Sequence, residues 1–322
     1  MSDEESKVQQ RSAPTMKRSG LLANALIALD GLSLGDAFGQ LMSVRARSIR
    51  TVLETQGLPS PRWIHTDDTQ MAMAVVEELA AHQAIASDSL AWRFVRRYQN
   101  DPGRGYGKGL RMQMEQIACG DTWQAASTAA FNGRGSKGNG AAMRVAPLGA
   151  YFSGDLSRVV SEARESAIVT HAHAEGIAGA VAVAIAAAVV TASRGSDVSR
   201  VCEELWDEVI ARTPEGETKE GIVKARSVPR HMAPDFAARL LGSGFLVTAP
   251  DTVPFALWCA ARHLDNYQEA MISTVEGDGD CDTNCAIVGG IVASFTGIEG
   301  IPERWISARE PLDLELPAQE EH

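Results

Sequence analysis

The sequence predicts an all-α fold. Three observations carry that expectation. Apolar residues recur at helical spacing in segment after segment, as in Met71, Val75, Val76 and Leu79. No convincing series of alternating apolar and polar residues marks a strand, and there is no internal repeat. Gly176 to Ser193 carries no charge and is rich in alanine, which suits a buried central helix packed closely through small side chains better than a membrane span. With 322 residues and 45% apolar content, the chain can bury a large core.

Taken in order, residues 1–18 are charged and polar without periodicity and are expected to be a disordered tail. Leu21 to Gln40 reads as an apolar helix. Its Gly31, Gly35 and Gly39 share one face, which lets another backbone or a ligand approach closely, or merely permits tight helix packing. Asp36 sits among them and fits poorly with a core. Arg45 to Arg62 is irregular and closes on Pro59 and Pro61. Thr66 to His82 is a helix opened by Thr66 or Asp67, and Ser87 caps another to about Tyr98. Asp101 to Gly109 is a glycine-rich loop, Asp121 to about Ala130 is helical, and Phe131 to Gly140 is a second glycine-rich loop. Backbone amides of such a loop beside a helix start can cradle phosphate, although the spacing is not that of a Walker loop. Leu156 to Thr170, Gly176 to Ser193, Val198 to Arg212, Pro234 to Leu241, Thr252 to Leu264 and Asp282 to Phe295 read as helices. Thr213 to Arg230 is polar and breaks the pattern. One domain is expected over residues 19–308, followed by a polar tail over 309–322.

The net charge of -11 argues against nucleic-acid binding driven by phosphate neutralisation. The five cysteines, at 119, 202, 259, 281 and 285, lack zinc-site or redox-motif spacing. They read as free thiols in a reducing compartment, so a cytoplasmic location is expected. No apolar segment at the N-terminus marks a secretory signal, and no membrane association is expected.

The chemistry concentrates in two acidic stretches. Glu276 to Asn284 carries three aspartates at alternate positions, Asp278, Asp280 and Asp282, before an apolar run. Carboxylates crowded this closely repel unless a cation lies among them, and hard divalent ions bound through oxygen are the usual answer. A helix-loop-helix calcium site fails, because its required glycine is Thr283 and its required glutamate is Gly289. A solvated turn that only caps the next helix is the plainer alternative. Against it stands the second cluster, Thr66-Asp67-Asp68-Thr69, which also opens an apolar helix and suggests one shared site. No serine occupies a nucleophile-elbow context.

Six short pieces, in this order, resemble the ADP-ribosylglycohydrolase family: Gly35-Asp36-Ala37-Phe38-Gly39, Thr66-Asp67-Asp68-Thr69, Arg104-Gly105-Tyr106-Gly107, Gly138-Asn139-Gly140-Ala141-Ala142-Met143-Arg144, Thr170-His171 and Asp280-Cys281-Asp282-Thr283. They span roughly residues 20 to 296. The resemblance implies a single compact orthogonal helical domain with a central two-metal cleft. It implies two magnesium ions, with manganese as an alternative, held by Thr66, Asp67 and Asp68 on one side and Asp280, Asp282 and Thr283 on the other. The ions would engage the 2′- and 3′-hydroxyls of the ribose next to the scissile bond. Gly105, Gly107, Gly109, Gly135, Ser136, Gly138, Asn139 and Gly140 would form a diphosphate and ribose cradle, with His171 a phosphate or ribose contact and Phe131 stacked on adenine. Asp67 is the expected water-activating carboxylate.

The implied activity is hydrolysis of the C1″ glycosidic bond between ADP-ribose and an acceptor, by a monomer whose partner is ADP-ribose or an ADP-ribosylated acceptor. A catalytically weak binding or immunity-type protein, and a hydrolase of a free ADP-ribosylated small molecule, are the alternatives. Two positions depart from the family pattern: Ser43 stands where some members carry glutamate, and Lys137 where many carry an aromatic. The acceptor, whether arginine, serine, nucleobase or small molecule, is not legible in the sequence.

Overall fold

A computed structural model describes residues 18–317. The N-terminal tail expected over residues 1–18 lies outside them but for its last residue, which opens the first helix. Among the described residues there are sixteen α-helices and no sheet, in agreement with the all-α expectation.

The organising contact is between helices Arg18–Met42 and Cys281–Thr296. The glycine row resolves as backbone packing. A Cβ built on Gly35 would lie 2.0 Å from the Cys285 carbonyl oxygen, and one on Gly39 2.3 Å from that of Cys281. The two helices therefore touch backbone to backbone. Tyr267 pins the same seam, its hydroxyl donating to the Gly31 carbonyl at 2.6 Å.

The alanine-rich segment forms the helix Ala174–Ala192, buried along nearly its whole length. His173 opens it, its Nδ1 accepting from the Glu175 amide at 3.1 Å. The helix is long and apolar enough to cross a membrane, as is Ser19–Met42, yet both are largely covered by other helices.

Six helices were not apparent in sequence. Ile49–Gln56 lies in the stretch read as irregular; it is short, with Ile49 its one buried residue, so its apolar face is too thin to register. Glu217–Ser227 falls in the stretch read as pattern-breaking. Its N-terminus is capped from a distance, because the Glu175 carboxylate accepts from the amides of Glu217 at 2.9 Å and Thr218 at 2.8 Å. No local signal can reveal such a cap. Lys108–Ala118, Ala146–Tyr151, Tyr267–Glu276 and Glu303–Ile306 are the others, the third capped by Asn266.

Residues 309–317, read as part of a polar tail, run back over the domain. Arg309 meets Asp30 at 3.3 Å, Glu310 bonds Arg104 and the His65 amide, and the Asp313 carbonyl accepts from Arg97 at 2.8 Å. Beneath them Phe38 stacks on Trp305 at 4.5 Å between ring centroids, and Trp63 meets Trp305 edge-on at 5.3 Å.

Candidate active site

Both acidic stretches sit at helix starts. Thr66 caps helix Asp67–His82, its hydroxyl accepting from the Asp68 amide at 3.3 Å and donating to Asp68 Oδ2 at 3.1 Å. Asp280 precedes Cys281–Thr296. Negative side chains at helix N-termini complement the helix dipole, so neither placement is costly by itself. Bringing the two together is what crowds the charge.

They meet in one cleft of about 430 Å³. Asp67 and Asp68 line one wall, and Asp280, Asp282 and Thr283 line the other. Gly105, Gly107, Gly109, Phe131, Ser136, Gly138, Asn139, Gly140 and His171 complete the lining among the residues singled out in the sequence. Two of those residues stand behind it. Thr66 is buried beneath the acidic wall as its cap. Gly135 lies against the backbone of His173, where a Cβ would come within 2.6 Å of that amide nitrogen. It shapes the loop rather than the surface. Ser43 turns its hydroxyl back on the Gln40 carbonyl at 3.0 Å and does not line the cleft.

Burial, first, raises the Asp67 carboxyl to about 8, with the charges of Asp36, Asp282 and Asp280 adding to it. Burial likewise raises Asp280 to about 7, helped by Asp282, and holds Asp68 well above the usual carboxylate range. Lys137 is the one lysine or arginine of the lining, and it reaches Glu217 at 3.7 Å.

A carboxylate-rich cleft without a matching cation fits divalent metal. Asp68 Oδ1 is buried without a hydrogen-bond partner, which fits the same chemistry. Oxygen donors on two facing walls suit a hard ion such as magnesium. Among the described residues, however, no three His, Cys, Asp or Glu side chains already converge as a closed metal cage. The donors are present on both sides of a gap.

The glycine loops supply the opposite character. Gly107 caps helix Lys108–Ala118 with no side-chain bond, leaving first-turn amides turned toward the cleft end of that helix. A Cβ on Gly107 or Gly109 would meet nothing within 4 Å, so this rim is open. Such a helix start attracts phosphate. Gly105 has φ +94°, and a Cβ there would sit 3.3 Å from Asp67 Oδ1, so glycine lets the loop pass the carboxylate. Phe131 has φ +53° and is 63% exposed, a bulky residue held at the rim in a backbone region it rarely adopts.

Two further contributors carry no site role in the sequence. Asp36 is fully buried and its Oδ2 accepts from the Thr66 amide (2.9 Å), the Thr69 amide (3.1 Å) and the Thr69 hydroxyl (2.5 Å). It anchors the start of the Asp67–His82 helix from below. Its misfit in an apolar helix was the available signal. The second is the stretch from Ser243 to Thr248: Leu246, Val247 and Thr248 line the cleft, the Val247 carbonyl accepts from the Asn139 amide, and the Ser243 carbonyl accepts from that of Asp280. Nothing in its composition marks it.

A family model described as ADP-ribosylglycohydrolase matches residues 17–319. The chain is 30% identical over 323 residues to the ADP-ribosylhydrolase ARH3 of Bos taurus, covering 86% of each chain, and 29% identical to that of Homo sapiens at the same coverage. It is 27% identical to the ADP-ribosylarginine hydrolase Tri1 of Pseudomonas putida, covering 92% of this chain and 77% of that one. A solved ADP-ribosylglycohydrolase-related protein complex shares the fold, with a TM-score of 0.67 at 24% identity over 91% of this chain and 94% of that one.

Proposed function

The chain belongs to the ADP-ribosylglycohydrolase family, hydrolases of ADP-ribose linkages, and from that premise we propose a magnesium-dependent enzyme that cleaves the C1″ glycosidic bond to an acceptor and releases ADP-ribose. The observation that carries this reading is the single cleft in which two acidic walls face a glycine-rich cradle and an exposed aromatic ring.

Thr66, Asp67 and Asp68, with Asp280, Asp282 and Thr283, are the residues that would hold two magnesium ions. Bound there, the ions would neutralise the crowded carboxylates and orient the sugar hydroxyls beside the scissile bond. The helix start at Lys108 and the Ser136 to Gly140 loop would bind diphosphate through backbone amides. Phe131 would cover one face of the adenine.

Glycosidic cleavage passes through an oxocarbenium-like state and needs a carboxylate to take a proton from the attacking water. Asp67 suits that step. It is only half-buried and it faces the cleft, within reach of a water beside the scissile bond. Asp68, fully enclosed and bonded to Thr66, is placed to position rather than to exchange.

The test is single-turnover release of ADP-ribose from a panel of ADP-ribosylated arginine, serine, nucleobase and small-molecule substrates, with magnesium in excess. Asp67→Asn should bind ADP-ribose yet lose turnover by at least about a hundredfold. Near-normal turnover at full metal occupancy would remove Asp67 as the base, and no turnover by the wild type on any substrate would remove the proposed reaction.

A further inference from the structure

Arg144 is fully buried, yet its hydrogen bonds go to neutral oxygens. Nη1 donates to the Gly140 carbonyl at 3.2 Å and the Thr170 hydroxyl at 3.0 Å, and Nη2 to the Ser166 carbonyl at 2.7 Å. The guanidinium carbon lies 4.4 Å from the centre of the Phe94 ring, and Nε has no partner. A buried charge is ordinarily paired or otherwise compensated, so this one calls for a reason. Burial lowers its pKa to about 9, which leaves it cationic at neutral pH.

The reason lies one bond further on. Arginine can only donate, so the Thr170 oxygen must accept from it. The hydroxyl then has one hydrogen to place. Thr170 has no exposure, and its oxygen lies 2.7 Å from His171 Nδ1. If the hydrogen goes there, Nδ1 is an acceptor and the ring proton resides on Nε2. The opposite tautomer strands the Thr170 hydrogen in a dry interior at the cost of an unmade bond. Burial, with the nearby Arg144 charge, keeps the imidazole neutral, its pKa lowered to about 3. Nε2 faces the glycine loop, where a Cβ on Gly138 or on Gly140 would lie 3.1 Å from it. Both glycines and His171 line the cleft.

We propose that Arg144 and Thr170 are positioning residues that lock His171 as a neutral Nε2–H donor, directed past Gly138 and Gly140 at the anionic diphosphate–ribose portion of the substrate. The identity of that ligand rests on the function proposed above; the tautomer does not.

Long-range proton–nitrogen NMR of the histidine rings in ligand-free protein should show His171 as the Nε2–H tautomer, unprotonated across the neutral range. Thr170→Val should retain the fold, mix the tautomers and weaken ADP-ribose binding by about tenfold, the scale of one hydrogen bond to an anion. Thr170→Ser should restore both. Should Thr170→Val not fold, the pair His171→Gln and His171→Asn serves instead: glutamine, whose amide reaches the Nε2 position, should keep more affinity than asparagine. An Nδ1–H tautomer in the wild type overturns the relay, as does a Thr170→Val protein with unchanged tautomer and affinity. An Nε2–H tautomer in a wild type without affinity for ADP-ribose overturns the proposed function instead.

Discussion

Asn139 Nδ2 donates to Asp280 Oδ2 at 2.7 Å, and the same amide group donates to Thr252 at 3.0 Å. The glycine-rich loop thus holds a carboxylate of the opposite acidic wall. Asn139 was expected as a direct substrate contact, but its amide nitrogen is engaged in aiming Asp280. Asn139→Ala should therefore weaken magnesium binding by about tenfold or more, the usual consequence of removing a group that orients a metal ligand. Calorimetric titration of magnesium, with and without ADP-ribose, checks this. Loss of ADP-ribose affinity alone, with magnesium affinity intact, would return Asn139 to a contact role.

Asp36 should separate charge from hydrogen bonding. Asp36→Ala strands the Thr66 and Thr69 donors and should cost about 1–3 kcal/mol of stability. Asp36→Asn keeps an acceptor and removes a charge that presses on Asp67 and Asp68, so its loss should be smaller in metal-free protein at alkaline pH. Equal losses for the two variants in urea unfolding would mean that the charge is immaterial.

The raised carboxyls of Asp67, at about 8, and of Asp36 and Asp280, each at about 7, have a thermodynamic sign. The folded state keeps protons that the unfolded chain releases near 3.8, so metal-free stability should fall as pH rises through about 7 to 8. Magnesium competes for the deprotonated form. The thermal midpoint gained on adding it should thus be larger near pH 8.5 than near pH 5.5. Melts with chelator and with saturating magnesium at the two pH values decide the matter, and a gain independent of pH would contradict a shared acidic site.

Phe131→Ala should cost on the order of 1–3 kcal/mol in ADP-ribose binding if the ring stacks on the base. ADP-ribose and ribose phosphate, titrated side by side, provide the control. Equal losses for both ligands would show that the ring supports the loop rather than the adenine.

The helices with thick apolar faces, and both acidic helix starts, were legible because their signals are local. Glu217–Ser227 was not, since its cap is Glu175, more than forty positions upstream. The same reason hid the role of Asp36: its three donors lie thirty or more residues away. The stretch from Ser243 to Thr248 is held at the cleft by backbone bonds from Asp280 to Ser243 and from Asn139 to Val247, which any side chains could make. Spatial gathering by backbone leaves no trace in residue type.

The glycine seam places a limit on how this enzyme can diversify. A Cβ at Gly39 would stand 2.8 Å from the Cα of Asp282 and 2.3 Å from the Cys281 carbonyl. One acidic wall is therefore gauged by main-chain thickness, the least adjustable dimension a protein has. Exchanges around the rim, such as at Lys137, can retune what enters the cleft while the carboxylate spacing stays fixed. A methyl group in the seam would do the reverse, leaving the rim intact and throwing the two walls out of gauge.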